Sequence, residues 1–467
     1  MGFVLTILSA LLLTAANYYG ELYLLSWIAL SPFLYYIFIL KDGKITNKKI
    51  FFSSWNLGFW ILLFSGNFLY HSIKLYTGAP ILIIILLLIL LFLLLSLIYG
   101  LFFLLYFYLQ RRLFAQNEFR PFLFALCWTL FEYGRHYLLG FFPIANPAYT
   151  QAEFLSFIQL AEVGGIWILS FVLILFNALF FQLVFQKKIK NIFVIALMLI
   201  IIFSFSYSRQ QINFAGAETV KGVKIGIITT GIEQKEKWRS AQLDQNIELA
   251  LNAAVELNQV QLIIAPETNL TFDFYSNQYY REQFLDKVAE KFKTPIQIGS
   301  LAAKDLIKGR YNSSFLLSEK GKIISRYDKN LLLYFGETYP FLDLLNKYTP
   351  YNFSSLNAGS NSNLFKYENL QWKTVICSEI LYPNYVKIGA AEVDFIVNQT
   401  NEAWFNDSRL LKNIMWQAAV IRAVENRVPI IKTGNQAQNG IIYASGEYQK
   451  VNAAQNYHVL KLNKFVS

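Results

Sequence analysis

The sequence predicts an α-helical transmembrane bundle of about seven helices over residues 1–208, followed by an α/β domain over residues 220–467. Apolar runs long enough to cross a bilayer follow one another through the first part. From residue 223 onward, short β-rich runs alternate with helical stretches, a pattern typical of sheets covered by helices. The hydrophobic fraction of 55% excludes an ordinary soluble protein and fits a chain that is part membrane-spanning and part globular.

Seven apolar runs define the predicted helices, near residues 3–19, 22–40, 51–70, 80–109, 121–139, 155–185 and 191–207. About 20 helical residues cover the roughly 30 Å hydrocarbon core, and most of these runs are long enough. The first run has neither a basic segment before it nor a small-residue cleavage pattern. We therefore expect it to be a retained helix and not a removable signal peptide.

Basic residues indicate the orientation of the bundle. Ten of the 41 Lys and Arg residues lie in three short segments between apolar runs: Lys41, Lys44, Lys48 and Lys49; Arg111, Arg112 and Arg120; Lys187, Lys188 and Lys190. With a cytoplasmic N-terminus, all three segments face inward, as the positive-inside rule requires. Seven crossings then place the chain from about residue 208 onward outside the cytoplasm. This distribution also explains the net charge of +11 without a nucleic-acid groove, so no nucleic-acid partner is expected.

Two polar features interrupt the apolar half. Glu132 and Arg135 are three residues apart on one helix face, where they either pair with each other for packing or contact substrate. Residues 140–151 form an aromatic, proline-rich segment that ends in Tyr149, Thr150 and Gln151. Its composition favours an anchor at headgroup level over a mobile lip at an acyl-chain entrance.

The α/β half has recognisable elements. Strands are predicted at 223–229, 261–265, 296–299, 313–317, 323–327, 372–377, 395–398, 429–433 and 441–443, with helices near 240–257, 278–292 and 408–426. Residues 350–363, rich in Ser, Gly and Pro, are predicted to be an exposed loop. The three histidines are scattered and no Cys/His cluster has metal spacing, so neither a metal nor another cofactor is expected.

Three polar residues at predicted strand ends suit one reaction. Glu267 follows Ala265 and Pro266, Lys329 follows Tyr327 and Asp328, and Cys377 closes a β-rich run. Sites in α/β proteins assemble just beyond the carboxyl ends of strands. A carboxylate base, an ammonium and a thiol together provide an activated nucleophile and an oxyanion partner. Only one other cysteine exists, Cys127 in an apolar run, so Cys377 is expected to be an unpaired, reactive thiol.

The sequence resembles the apolipoprotein N-acyltransferase family, whose second domain belongs to the nitrilase (carbon–nitrogen hydrolase) superfamily. The soluble half carries the more specific motifs: Pro266-Glu267-Thr268, Tyr311-Asn312-Ser313, Lys329 with Phe335-Gly336-Glu337, Ile376-Cys377-Ser378-Glu379, and Asn401-Glu402-Ala403-Trp404-Phe405. Weaker matches lie in the membrane half: Trp27 to Pro32, Trp128 with Glu132 and Arg135, Tyr149 with Gln151, and Gly164-Gly165.

The resemblance implies an αββα sandwich on the outer face of the bacterial cytoplasmic membrane. Its implied reaction is a two-step acyl transfer from a phospholipid, through a thioester on Cys377, to the amine of an N-terminal diacylglyceryl-cysteine on an apolipoprotein. Glu267 would be the base and Lys329 the oxyanion donor. Glu337 would orient the lysine or move protons, and Asn312, Ser378, Glu379 and Trp404 would support the site. Glu132, Arg135, Tyr149 and Gln151 would contact substrate on the membrane side, and the chain would act as a monomer.

Three departures separate this chain from the family pattern. Ser378 stands where an aromatic residue is usual, Ile144 stands where a tryptophan commonly follows the proline, and no apolar run follows Tyr443 to make an eighth helix. Whether that helix was lost or the chain is shortened stays open. Two alternatives remain: a membrane-anchored amidase that uses water as the acceptor, and a non-catalytic binding protein that kept the fold.

Overall fold

The computed structural model describes residues 1–467 except 40–45, 114–118, 139–145, 217–221, 258, 304–308, 335, 340–345, 348–353, 388–392, 406–407, 453–454 and 463–467. Several residues named in the predictions lie outside this described part, namely Lys41, Lys44, Ile144 and Phe335.

The chain divides into two units. The first comprises Met1–Gln210 together with Ser408–Ile421, and the second comprises Gln211–Asp407 together with Arg422–Ser467.

The first unit forms helices within each of its predicted apolar runs. Its α-helices are α1 (Gly2–Tyr18), α2 (Ser31–Phe38), α3 (Asn47–Ser65), α4 (Phe68–Thr77), α5 (Ile81–Leu113), α6 (Arg120–Leu138), α7 (Leu155–Ile158), α8 (Ala161–Phe185) and α9 (Asn191–Gly216). Two 3-10 helices, Gly20–Trp27 and Tyr149–Glu153, join them. Helices therefore form in all seven predicted runs, although Gly66 separates α3 from α4 within one run and Gly165 has a non-helical backbone within α8.

Four helical segments of the described chain have the length and apolarity to cross a membrane: Gly20–Phe38, Ile81–Arg112, Ala161–Phe185 and Asn191–Arg209. The second has 32 residues and a mean hydropathy of 3.7. At 1.5 Å per residue, a helix of that length spans more than the ~30 Å hydrocarbon core. The protein is therefore an integral membrane protein. The count of seven crossings stays a prediction.

The second unit contains two six-stranded sheets. Its strands are β1 (Val223–Ile228), β2 (Leu262–Ile264), β3 (Ile296–Ala303), β4 (Arg310–Leu317), β5 (Ile323–Asp328), β6 (Leu364–Tyr367), β7 (Leu370–Ile376), β8 (Phe395–Asn401), β9 (Ile430–Asn435), β10 (Gly440–Ile442), β11 (Tyr448–Lys450) and β12 (Tyr457–Leu462). One sheet has the order β12-β1-β2-β3-β4-β5 and the other has the order β11-β10-β9-β8-β7-β6. The three central strands of each sheet run parallel, so their carboxyl ends meet at one edge.

The helices of the second unit are α10 (Gln234–Lys237), α11 (Leu243–Glu256), α12 (Gln278–Lys291) and α13 (Pro383–Lys387), and α14 (Arg409–Asn426) begins in the first unit and ends in the second. Alternate residues of the strands fill two separate cores. Ile225, Ile227 and Trp372 belong to a core between the two sheets, whereas Ile263 and Phe315 pack with residues of α11 and α12 on the other face of the first sheet. The predicted fold class is therefore confirmed.

Candidate active site

Each of the three predicted catalytic residues lies within three residues of the end of a strand. Glu267 lies three residues beyond β2, Lys329 directly follows β5, and Cys377 directly follows β7. The Lys329 backbone is fixed on both sides, because its N–H donates to the Asn312 carbonyl at 2.8 Å and its carbonyl accepts from Gly359 N–H at 2.8 Å. Cys377 has a positive φ of 50° at the start of a 3-10 turn, Cys377–Leu381. Such strain in a residue other than glycine is typical of functional sites.

A chain of hydrogen bonds links the two acidic residues to the lysine. Asn312 Nδ2 donates to Glu267 Oε1 at 2.7 Å and to Glu337 Oε1 at 2.8 Å. Lys329 Nζ donates to Glu337 Oε2 at 2.6 Å, and the Leu333 N–H donates to the same oxygen at 2.9 Å. Glu337 therefore holds the lysine in place, while the amide of Asn312 keeps two carboxylates close together without direct contact.

One carboxylate oxygen in this hydrogen-bond network lacks a partner in the described part of the structure. Among the described residues, Glu267 Oε2 has no hydrogen-bond partner, although the side chain is only 5% exposed. Burial raises the pKa of Glu267, while Lys329 opposes that rise. A buried carboxylate with an unoccupied oxygen and a raised pKa is suited to accept a proton from a substrate or a neighbouring thiol.

Electrostatic interactions join the thiol to the same group. Burial, reinforced by the Glu267 carboxylate, raises the pKa of Cys377 to about 12, and Lys329 opposes the rise. Burial alone would lower the pKa of Lys329, but the surrounding acidic groups, Glu337 foremost, raise it above its ordinary value. At neutral pH the thiol is therefore protonated and the lysine charged. A reactive thiolate then requires transfer of the thiol proton to Glu267 as the bond to substrate forms.

The remaining predicted residues of the second unit have different surroundings. Glu379 is fully buried, and its Oε1 accepts from Tyr327 OH at 2.7 Å and from Asn330 N–H at 2.8 Å, while its Oε2 accepts from Ile376 N–H at 2.8 Å. It thereby ties the Cys377 turn to the Lys329 loop. The Ser378 hydroxyl is buried without a hydrogen-bond partner in the described part of the chain. Trp404 lies half-buried in the 3-10 turn Glu402–Phe405.

Two residues that sequence reasoning did not assign to the site contact it. Thr400 Oγ1 lies 3.5 Å from Cys377 Sγ and donates to it. Lys237 is 2% exposed, and its Nζ donates to the Glu267 carbonyl at 3.2 Å and to Thr268 Oγ1 at 3.0 Å. The pair Lys237-Trp238 is one of the sequence motifs that resemble the family, together with residues 231–234, but the sequence did not indicate that Lys237 is buried or that it contacts the Glu267 turn.

The membrane-side candidates are buried in the first unit. Glu132 and Arg135 form an ion pair within α6 and are 1% and 5% exposed. Gln151 Oε1 accepts from Trp27 Nε1 at 2.8 Å, and Gln151 Nε2 donates to the Tyr23 carbonyl at 3.0 Å. Tyr149, at 2% exposure, is buried beside it in the same 3-10 helix. Substrate contact by these four residues stays a prediction, and internal packing accounts for the contacts of Gln151.

Comparisons with known proteins agree with this architecture. Residues 9–179 match the apolipoprotein N-acyltransferase N-terminal domain, and residues 225–451 match the carbon–nitrogen hydrolase family. An apolipoprotein N-acyltransferase of Aquifex aeolicus is 30% identical over 73% of this chain and 75% of its own length. One of Geobacter metallireducens is 30% identical over 69% of this chain, which spans 64% of that relative's length.

Among solved structures, an amidase from Nesterenkonia sp. is similar, with 14% identity, a TM-score of 0.38, and coverage of 53% of this chain and 93% of the amidase. The two domain matches and the Aquifex aeolicus relative together decide the family. The chain belongs to the apolipoprotein N-acyltransferase family.

Proposed function

We propose that this protein is an apolipoprotein N-acyltransferase that moves a fatty acyl chain from a phospholipid to the N-terminal amine of a diacylglyceryl-apolipoprotein. The observation that carries the proposal is the open Oε2 of Glu267 within a buried group that also holds Lys329 and Cys377. Membrane-crossing helices in the same chain suit two lipid substrates, because they hold the acyl donor at the surface where the reaction occurs.

In the first step, Cys377 Sγ attacks the ester carbonyl of the phospholipid while Glu267 takes the thiol proton. The C–S bond forms, and the oxyanion is stabilised by the Lys329 ammonium and by a backbone N–H after Cys377. The ester C–O bond then breaks, and Glu267 returns the proton to the departing lysophospholipid oxygen. The product is an acyl thioester on Cys377.

In the second step, the α-amine of the diacylglyceryl-cysteine attacks the thioester carbonyl. Glu267 accepts a proton from the amine, the C–S bond breaks, and the proton passes to the departing sulfur. Lys329 stabilises the second oxyanion as it did the first, since Glu337 holds it in one position. A thioester is a better acyl donor to an amine than the original ester, so this order favours transfer.

The proposal also covers location and assembly. The three basic segments of the membrane half support an inner-membrane protein whose second unit faces away from the cytoplasm. All catalytic groups come from one chain, which supports a monomer as the working unit. A reporter fused after Ser467 is expected to give a non-cytoplasmic signal, and a cytoplasmic signal would overturn the seven-crossing topology.

The test of function is acceptor use. Purified protein is incubated with phospholipid and a synthetic diacylglyceryl-cysteine peptide, and the products are analysed by mass spectrometry. We expect N-acylated peptide and lysophospholipid in equal amounts. Free fatty acid without acylated peptide would show that water is the acceptor, as in the amidase alternative, and would reject the proposed transferase.

A further inference from the structure

A second buried lysine lies against the residue that acts as the base. Lys237 ends the four-residue helix α10 and is 2% exposed. A buried ammonium is costly unless acceptors compensate for lost water. Lys237 Nζ has two acceptors, the Glu267 carbonyl at 3.2 Å and Thr268 Oγ1 at 3.0 Å. Both belong to the turn that carries the Glu267 carboxylate into the site.

This turn is strained and confined from two sides. Thr268 has a φ of 45°, a conformation that β-branched residues rarely adopt. On one side lies Gly299, where a Cβ would come within 2.6 Å of both the Pro266 carbonyl oxygen and the Thr268 nitrogen, so only glycine fits. On the other side lies Lys237. A strained turn persists only when its surroundings fix it. Gly299 restrains this turn by close packing, and Lys237 restrains it by two hydrogen bonds.

The charge of Lys237 also acts on the carboxylate. Burial lowers the pKa of Lys237 to about 8, while Glu267 pulls it upward. In return, Lys237 lowers the pKa of Glu267, acting in the same direction as Lys329. The other titratable groups that face Glu267 are Glu337 and the Cys377 thiol. Lys329 is already tied to Glu337, whereas Lys237 has Glu267 as its acidic neighbour.

We infer that Lys237 is a positioning residue: it fixes the Glu267 turn through two hydrogen bonds, and its charge sets the pH below which Glu267 stops accepting the thiol proton. The inference rests on the proposed roles of Glu267 and Cys377. It does not depend on which acyl donor or acceptor the enzyme uses.

The test is the pH dependence of Cys377 alkylation by iodoacetamide, measured on the full chain in detergent with Cys127→Ser as background so that one thiol reports. Loss of a nearby positive charge raises the pH at which the Glu267–Cys377 pair gives up its first proton. The acid limb is the part of the pH profile in which the alkylation rate falls as pH decreases. We expect Lys237→Met to raise the midpoint pH of the acid limb by roughly one unit. At a fixed pH below the midpoint, alkylation would then be roughly tenfold slower.

Two comparisons separate charge from packing. Lys237→Gln retains a hydrogen-bond donor without charge, and the acid limb should still move upward. Lys373→Met removes another buried amine, one that donates to the Tyr385 carbonyl at 2.6 Å, and its acid limb should stay at the wild-type position even if the protein is less stable.

The inference is overturned if both Lys237 variants keep the wild-type midpoint of the acid limb and differ from wild type only in lower thermal stability. If neither variant folds, Thr268→Val decides, because it removes one anchor of Nζ: a smaller upward movement supports the inference and no movement rejects it. The wild-type protein could show the expected alkylation profile and still fail to acylate the peptide. That result would count against the proposed acceptor and not against the role of Lys237.

Discussion

Two buried polar clusters, one in each unit, differ in charge and in how completely their atoms are hydrogen-bonded. The membrane cluster consists of Ser26, Trp27, Thr150, Gln151 and Asn177. The carboxylate cluster consists of Glu267, Asn312, Lys329 and Glu337. In the first, every buried side-chain nitrogen and oxygen has a protein partner. In the second, Glu267 Oε2 and Asn312 Oδ1 have none in the described part of the structure.

This difference in hydrogen bonding distinguishes a cluster that stabilises the fold from one that we propose takes part in the reaction. Neutral amides and hydroxyls that satisfy one another stabilise a fold by roughly 0.5–1.5 kcal/mol per hydrogen bond. An unpartnered buried polar atom costs about 1–3 kcal/mol, so its presence needs another explanation. For Glu267 Oε2, the explanation that we propose is a proton that this oxygen accepts during the reaction. Substitutions in the two clusters should therefore affect different measurements.

The largest effect is expected for the nucleophile. Cys377→Ser should reduce peptide acylation by at least about 10³-fold, because a hydroxyl lacks the nucleophilicity of the thiol and the reaction has no second route. The assay is acylated peptide by mass spectrometry. Cys127→Ser, which replaces the half-buried cysteine of α6, should retain activity. Full activity in Cys377→Ser would mean that another group attacks the ester.

The next effect concerns the oxyanion. Lys329→Met should slow thioester formation roughly 10²–10³-fold, because it removes the ammonium that we propose stabilises the developing negative charge. Binding of the protein to phospholipid vesicles should persist, since the lysine is 1% exposed and acts inside the site. Single-turnover acylation of Cys377 measures the loss. A variant that forms thioester at the wild-type rate would remove Lys329 from the mechanism.

A smaller effect, dependent on pH, is expected at Asn312. Its amide donates to Glu267 and lowers the pKa of that carboxyl, so Asn312→Ala should raise the pKa. The rate should fall about 10- to 100-fold at neutral pH and recover partly as pH rises, because the base is then ionised again.

The matched control for this prediction is Asn361→Ala. Asn361 accepts from Asp328 N–H at 3.0 Å and donates to the Arg326 carbonyl at 3.0 Å, so it also bridges two segments near a strand end. It should lower thermal stability without moving the pH profile. Equal pH profiles for the two variants would show that Asn312 serves packing alone.

The smallest effect on catalysis is expected in the membrane cluster. Gln151→Leu breaks the bonds to Trp27 and to the Tyr23 carbonyl, and it should lower the free energy of unfolding by about 1–3 kcal/mol. The rate per folded molecule should change little. Thermal unfolding in detergent and the KM for phospholipid are measured together. A raised KM at unchanged stability would return Gln151 to the substrate-binding residues.

Much of the second unit was predictable from sequence, because its central strands are short runs rich in β-branched and apolar residues that alternate with helical stretches. The strands β6, β11 and β12 were missed. β12 alternates exposed and buried residues and pairs with β1, more than 200 residues earlier in the chain. β11 has only three residues. Short edge strands of this kind owe their conformation to a distant partner, and local pattern does not reveal that partner.

The same limit applies to the site. Glu267, Lys329 and Cys377 were proposed from the sequence because each follows a strand end and is the residue type that acyl transfer needs, and their catalytic roles stay predictions. Lys237 and Thr400 were not assigned, because their role lies in contacts with residues 30 and 23 positions away. Glu379 was named as a supporting residue, but its bonds to Tyr327, Asn330 and Ile376 became visible only in the structure.

The central claim is that the sulfur of Cys377 carries the acyl chain between the two substrates. Intact-mass spectrometry of wild-type protein incubated with phospholipid of defined chain length, quenched cold and at low pH without acceptor, tests it most directly. We expect one added acyl group that peptide mapping places on Cys377 and that disappears when diacylglyceryl-cysteine peptide is added. Acylated peptide formed with no such adduct at any time point would contradict the claim.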